Sequence, residues 1–220
     1  MSIKEQIKSI RKSLPDDVTL IAVSKTHGNE LIMDAYAQGV RDFGENKVQE
    51  LCAKAEQLPK EIQWHMIGHL QSNKVKYIAP FIHLIHSVDS LKLLKEINKQ
   101  ALANQRIVDV LLQIYIAKEE TKFGLSYDEC TDLLANPELK LLKNINIRGL
   151  MSIASFSDDK TLVSNEFLNL RQFYEVLKQK MPNDFNILCM GMSNDWELAI
   201  KAGSNMVRIG SHIFGKRNYN

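Results

Sequence analysis

The stretch VTLIAVSKTHGNELIMDAYAQGVRDF, residues 18–43, indicates the fold because it contains one complete strand–helix–strand unit. Residues 18–24 form an apolar, β-branched run of strand length. Residues 31–38 are predicted to be helical, with Gly39 as the glycine that closes the helix, and a short strand follows at 40–43. Strands that alternate with helices in this way favour a parallel sheet covered by helices.

The same unit repeats along the chain. An amphipathic helix at residues 2–13, with Ile3, Ile7 and Ile10 on one face, comes first. The predicted strands are 18–24, 40–43, 63–67, 82–86, 107–116, 147–153, 187–190 and 206–209. The predicted helices between them are 31–38, 47–58, 73–79, 91–103, 127–135, 167–177 and 196–202. Eight such units predict an α/β protein with a single (β/α)₈ TIM-type barrel domain over residues 1–220. An open doubly wound sheet is the alternative, since the second and eighth strands are weak.

Composition narrows the function classes. Hydrophobic residues make up 45% of the 220 residues and charged residues 25%, as in an ordinary globular protein. The net charge of +2 and the short basic runs at 74–76 and 216–217 argue against nucleic-acid binding. Three cysteines without a C-x-x-C pair indicate a reducing compartment. The beginning of the chain lacks an apolar leader, and no stretch is long enough to span a membrane, so we expect a cytoplasmic protein.

Lys25 directly follows the first predicted strand. Counting by twos, it shares a face with Ile21 and Val23, and large branched residues of this kind fill the interior of a barrel. An amine at the rim of an apolar interior loses hydration, which makes it a better nucleophile toward aldehydes. Lys25 is therefore a candidate for Schiff-base formation. The alternative is a lysine that ends a strand and reaches water.

Small residues follow the last two predicted strands. Gly191-Met192-Ser193 comes after the seventh strand, and Gly210-Ser211 comes after the eighth. Barrels frequently bind phosphate with these two loops and the beginning of a short helix, here predicted at residues 212–214. The alternative role for the glycines is to form tight turns.

Arg208 shares a face of the eighth strand with Met206. A guanidinium within an apolar strand is costly unless it is paired. Near the barrel mouth its partner would be a phosphate, a ring nitrogen or a carboxylate such as Glu45. A purely structural ion pair is the alternative.

The histidine spacing does not predict a metal site. His65 and His69 are four residues apart but straddle the end of a strand. His83 and His86 are predicted on opposite faces of another strand. We therefore expect no metal.

Ordered blocks across almost the whole chain resemble the YggS/PROSC family of pyridoxal phosphate homeostasis proteins. The blocks are AVSKT at 22–26, FGEN at 43–46 with VQE at 48–50, WHMIG at 64–68 with LQSNK at 70–74, IRGLM at 147–151, MGMS at 190–193, VRIG at 207–210 and IFG at 213–215. One departure is the absence of a proline after Met151, which leaves the shape of the sixth loop open. Another is Lys47, which stands where many relatives have an aromatic residue or an arginine.

The resemblance implies a fold like the N-terminal barrel of alanine racemase and a Schiff base between Lys25 and pyridoxal 5′-phosphate. It implies that Ser193, Gly210 and Ser211 hold the phosphate, that Arg208 faces the pyridine ring, and that Asn46 lines the pocket. The implied cofactor-binding residues are Lys25, Asn46, Met192, Ser193, Arg208, Gly210 and Ser211. If Lys25 is not the attachment point, Lys122 and Lys216 are the next lysines to test.

The resemblance favours a non-catalytic protein that buffers or delivers the cofactor, with apo-enzymes as transient partners. An arginine opposite the ring nitrogen leaves the cofactor a weak electron sink. The eighth unit ends near residue 209, which leaves no room for a racemase β-domain with its second base, and this also favours a monomer. The alternatives are a minimal amino-acid racemase or lyase and a cofactor-independent Schiff-base aldolase acting on a sugar phosphate.

Overall fold

The computed structural model describes residues 2–117 and 123–215. Eight parallel strands pair in chain order, and β1 pairs with both β2 and β8, so the sheet closes into a barrel. The strands are β1 Thr19–Val23, β2 Asp42–Glu45, β3 Gln63–Met66, β4 Leu84–Val88, β5 Val108–Tyr115, β6 Ile145–Ile153, β7 Ile187–Met192 and β8 Met206–Ile209. The predicted barrel is confirmed, and the open-sheet alternative is wrong.

Helices connect successive strands. They are α1 Ile3–Ser13, α2 Asn29–Ala37, α3 Val48–Gln57, α4 Val75–Ile78, α5 Leu91–Ala103, α6 Tyr127–Ala135, α7 Lys160–Lys178, α8 Trp196–Lys201 and α9 Ser211–Phe214, with 3₁₀ turns at Ser72–Lys74 and Pro137–Leu141. The N-terminal helix begins with a capping box. The Ser2 hydroxyl accepts a hydrogen bond from the Glu5 N–H, and the Glu5 carboxylate accepts one from the Ser2 N–H.

Two strands lie two residues later in the chain than predicted. Val40 is buried, but its N–H bonds the Ala35 carbonyl, as in the cap that ends helix α2 after Gly39 (φ +80°). The Ile82 N–H likewise bonds the Ile78 carbonyl at the end of α4. Both apolar residues therefore pack at the ends of helices, and strands β2 and β4 begin after them.

The strands are buried on both faces. Ile21 and Ala22 are adjacent in β1 and both wholly buried, yet Ile21 belongs to the barrel interior and Ala22 to the layer between strands and helices. The interior core consists of Ile21, Leu84, Leu111, Met151, Cys189 and Met206. The inward direction predicted for Ile21 is thus confirmed.

Across residues 2–117 and 123–215, the helices are too short or too polar to cross a bilayer.

Candidate functional site

Barrel closure gathers the predicted site residues at the mouth, the rim where the strands end. Because β2, β1, β8 and β7 are neighbours in that order, their following loops lie side by side. Asn46 follows β2, Lys25 follows β1, Gly210 and Ser211 follow β8, Met192 is the last residue of β7, and Ser193 follows it. Lys25 itself is half-buried and lies in a turn two residues beyond β1, so the two-residue alternation of the strand no longer governs its direction.

A buried charge network anchors the turn that holds the predicted lysine. The Ser24 hydroxyl donates to Glu45 Oε1 (2.6 Å), and the Thr26 N–H donates to Glu50 Oε1 (2.6 Å). Lys54 Nζ donates to both carboxylates, at 2.8 and 2.7 Å, and to the Ser24 carbonyl at 2.9 Å. Thr26 has φ 68°, a left-handed conformation that this anchoring stabilises. The residues before and after the lysine are therefore fixed by one network.

Lys54 was not among the predicted site residues, although the sequence carries a signal for it. Lys54 lies three residues after Leu51 and four before Leu58, which places it on the apolar face of helix α3. Glu50 precedes it by four residues, the spacing of a helical ion pair. Burial raises the pKa of Glu45, and the neighbouring Lys54 ammonium opposes that rise.

Arg208 points to a missing partner inside the barrel. Its side chain is only 3% exposed, and Nη2 donates to the Ser152 carbonyl at 2.6 Å. Among the described residues no carboxylate pairs with it, and both Arg208 Nε and Ser152 Oγ are buried without a hydrogen-bond partner. The suggested pairing with Glu45 is wrong, because the Glu45 carboxylate bonds Ser24 and Lys54 instead. A buried cation with an unsatisfied N–H fits a ligand that supplies an acceptor.

The loops after β7 and β8 contact each other directly. The Gly210 N–H donates to Ser193 Oγ at 3.2 Å. A Cβ on Gly210 would lie 3.1 Å from the Val23 carbonyl oxygen, so glycine lets this loop pack closely against the end of β1. Met192, 37% exposed, donates its N–H to Asp195 Oδ1 at 2.6 Å. The two candidate phosphate loops thus form one continuous surface beside β1.

A cavity of about 680 Å³ opens between the loops that follow β6, β7 and β8. Of the predicted site residues it is lined by Ser193 alone, so it lies to one side of Lys25. Ser155 also lines it and donates its N–H and hydroxyl to the buried Glu166 carboxylate at 2.8 and 2.6 Å. These two bonds define the sixth loop, whose shape the absence of a family proline had left open.

Asn46 is half-buried where the β2 and β3 loops meet. A Cβ on Gly68 would lie 2.4 Å from the Asn46 carbonyl oxygen, so only glycine allows this approach. The two alternative lysines, Lys122 and Lys216, lie outside the described residues.

Three histidines, His65, His83 and His86, lie toward the opposite end of the strands, which we call the base of the barrel. His65 Nδ1 lies 2.9 Å from His86 Nε2, and His65 Nε2 lies 3.0 Å from Asp42 Oδ1. His86 Nδ1 in turn lies 3.5 Å from Cys189 Sγ. The prediction that His83 and His86 occupy opposite faces of a strand is wrong: His83 precedes β4, and both rings contact His65.

Burial keeps the two innermost side chains of this hydrogen-bonded cluster, His86 and Cys189, uncharged. It lowers the pKa of His86 well below the usual 6.5, and the neighbouring His65 and Arg208 lower it further. Burial also raises the pKa of the Cys189 thiol to about 11. His86 is therefore a neutral imidazole, and Cys189 a protonated thiol, near pH 7.

Comparisons with known proteins agree on the architecture. The family described as "Alanine racemase, N-terminal domain" matches residues 1–218. The pyridoxal phosphate homeostasis protein of Haemophilus influenzae is 39% identical over 206 residues, which is 92% of this chain and 86% of that protein.

Two solved structures extend the comparison. PipY of Synechococcus elongatus PCC7942, solved with PLP bound, superposes with a TM-score of 0.88 at 37% identity, over 97% of this chain and all of that one. Alanine racemase of Clostridium difficile 630 superposes with a TM-score of 0.80 at 16% identity, over 98% of this chain and 60% of the racemase. The second likeness shows the shared barrel fold.

Proposed function

The chain belongs to the alanine racemase N-terminal domain family, and from that premise we propose that it binds pyridoxal 5′-phosphate through Lys25 and buffers or delivers this cofactor without catalysis. The observation that carries the proposal is the buried, unsatisfied Arg208 guanidinium below a rim that holds Lys25 and the two glycine loops. Relatives of similar length are named pyridoxal phosphate homeostasis proteins, and PipY has been solved with PLP bound.

Each part of the cofactor has a complementary group in this chain. When bound, pyridoxal phosphate supplies an aldehyde carbon that condenses with an amine and a conjugated ring that absorbs visible light. Lys25 Nζ would provide the amine, held in its turn by the Lys54 network. Arg208 would face the ring nitrogen as a permanent cation, so that nitrogen would not be protonated.

The phosphate would lie against the joined loops of β7 and β8. Ser193 Oγ already orders the Gly210 N–H, and Ser211 begins helix α9, whose first N–H groups lack acceptors within the helix. Met192 and Asn46 would close the two sides of the rim. The glycine at 210 lets this surface lie directly against the end of β1, close to the turn that holds Lys25.

We propose that the protein is located in the cytoplasm and is a monomer. We also propose that apo-enzymes that require pyridoxal phosphate are its transient partners. The three cysteines are free, and Cys130 and Cys189 are buried, which suits a reducing compartment. We further propose that residues 1–220 form one domain.

The decisive experiment is an absorbance spectrum of the purified protein with added pyridoxal phosphate, followed by borohydride reduction and peptide mapping. We expect a visible band and a reduced adduct on Lys25. Lys25→Ala should lose the band, whereas Lys76→Ala, which removes an exposed lysine of helix α4, should keep it. A full band in Lys25→Ala, or an adduct mapped to Lys122 or Lys216, would contradict the assignment.

The non-catalytic role requires its own test. The loaded protein is mixed with a panel of amino acids in deuterated water, and exchange of the α-proton is followed by NMR. We expect no exchange above that of free pyridoxal phosphate. Rapid exchange for any amino acid would replace the carrier role with a minimal racemase or lyase.

A further inference from the structure

The base of the barrel brings together three side chains of the kinds that bind transition metals. Asp42 opens β2, His65 lies within β3, and His83 immediately precedes β4. One ligand atom from each of the three lies within 4.8 Å of the other two. Since β2, β3 and β4 are neighbouring strands, the barrel holds these three residues side by side at its base. We propose that Asp42, His65 and His83 bind a divalent transition metal ion of the zinc type.

The exposure of the three groups suits such a site. His65 is buried, the Asp42 side chain is 23% exposed, and His83 is exposed. His65 Nε2 and Asp42 Oδ1, 3.0 Å apart, are thus joined by a third ligand on the solvent-exposed side. Two imidazoles and one carboxylate are typical ligands of zinc, and water fills the remaining position in open sites.

The interior supplies an outer partner for His65. A metal-binding histidine usually donates its other ring N–H to a fixed acceptor. His65 Nδ1 lies 2.9 Å from His86 Nε2, and His86 Nδ1 lies 3.5 Å from Cys189 Sγ. In the metal-bound form, His65 Nδ1–H donates to His86, and His86 Nδ1–H donates to the sulfur. His65 Nε2 then presents its lone pair to the metal.

Without the metal, Cys189, His86 and His65 satisfy one another when each hydrogen bond between them runs in the opposite direction. The Cys189 thiol donates to His86 Nδ1, His86 Nε2–H donates to His65 Nδ1, and His65 Nε2–H donates to Asp42. Each of the three groups carries one proton in both arrangements, so metal binding needs a change of tautomer and no loss of a proton. A purely structural hydrogen bond between His65 and Asp42 corresponds to the second arrangement alone.

The surrounding charges do not oppose a cation strongly. Asp109 lies near His83 but is paired with Arg148. Arg106 directs its guanidinium to the carbonyls of Ala79 and Ile82. Asp42 therefore provides the negative charge of the site.

The test is a calorimetric titration of Zn²⁺ into the protein of residues 1–220. We expect one equivalent to bind at this site. Loss of an outer-shell partner costs up to about 100-fold in metal affinity, so loss of a direct ligand in His83→Gln should weaken Zn²⁺ binding at least about 100-fold. Asp42→Asn, which keeps an oxygen ligand, should weaken Zn²⁺ binding at least about tenfold. The matched control is His69→Gln, because His69 is also exposed and near a carboxylate, Asp89, but lies at the mouth. It should bind Zn²⁺ as the wild type does.

Two outcomes would overturn the proposal: failure of the wild type to bind Zn²⁺, or equal binding by His83→Gln and the wild type. Co²⁺ provides a second measurement, since its visible absorption reports the ligand set. Bands without thiolate charge transfer, lost in His83→Gln, support two imidazoles and a carboxylate. Strong thiolate charge transfer would instead assign the metal to a cysteine and refute the site.

Discussion

The two ends of the barrel both bury polar side chains, but they differ in charge. At the mouth, Lys54 and Glu45 form an ion pair, and Arg208 is a cation without an anionic partner among the described residues. At the base, His86 is a neutral imidazole, and it contacts the thiol of Cys189. Buried charges must be paired in one fixed geometry, whereas neutral donors and acceptors can exchange roles. The mouth is therefore suited to hold a charged ligand rigidly, and the base to rearrange protons.

The largest effect should follow from breaking the charged network at the mouth. Lys54→Met leaves the Glu45 carboxylate buried without its cation, and loss of one partner of a buried pair costs roughly 3–5 kcal/mol. We expect urea denaturation to show a loss of this size in the free energy of unfolding. The affinity for pyridoxal phosphate should also fall, because Ser24 and Thr26 lose part of their anchoring.

The double variant Lys54→Met/Glu45→Gln is the control, because it removes both charges and keeps a hydrogen-bonding group beside Ser24. Much of the lost stability should return. If the single variant costs less than about 1 kcal/mol, as an exposed ion pair would, the mouth does not depend on buried charge, and the contrast between the two ends fails.

A smaller effect, dependent on pH, should come from the base. The pKa of folded His86 is well below the 6.5 of an unperturbed histidine, so below pH 6.5 the unfolded chain binds a proton that the folded one does not. The free energy of unfolding should therefore fall as pH falls from 6.5 toward 5, by at most about 1.4 kcal/mol per pH unit from this group. Urea denaturation at several pH values measures the slope.

His86→Gln isolates this contribution, since the raised pKa of Glu45 acts in the opposite direction in both proteins. The difference between the two slopes should be positive: the wild type loses more stability on acidification. Equal slopes would mean that His86 takes up a proton as readily in the folded protein as in the unfolded chain, and the contrast in buried charge between the two ends would then fail.

Sequence patterns locate the mouth of the barrel more readily than its base. Small residues directly after the predicted strands, as in Gly210 and Ser211, reveal positions where the chain opens onto the rim. Asp42, His65 and His83 are spaced by 23 and 18 residues, and only the register of three strands brings them together. No local periodicity in the sequence encodes the proximity of these three side chains.

The two strand boundaries were wrong for a related reason. Val40 and Ile82 are as apolar as strand residues, but their N–H groups complete helix ends, so their hydrophobicity belongs to the helix–strand layer. Lys54 was missed because single charged residues on helices are usually solvated. Its place among Leu51 and Leu58 was the available signal.

The smallest expected effect is a local one at the phosphate loops. Ser193→Ala removes the hydroxyl that accepts the buried Gly210 N–H, and an unsatisfied buried donor costs about 1–3 kcal/mol. Water beside the half-buried serine should replace part of that bond, so we expect a loss near the lower limit, about fivefold to tenfold in affinity for pyridoxal phosphate. Fluorescence or absorbance titration measures this loss of affinity, with Ser9→Ala, a change at an exposed residue, as control.

Because the bond between Ser193 and Gly210 joins two neutral groups, the loss of affinity should not change between pH 6 and 8. A loss that varied with pH over that range would mean that a titrating group controls the loops, and the fixed character assigned to the mouth would then belong to its ion pair alone.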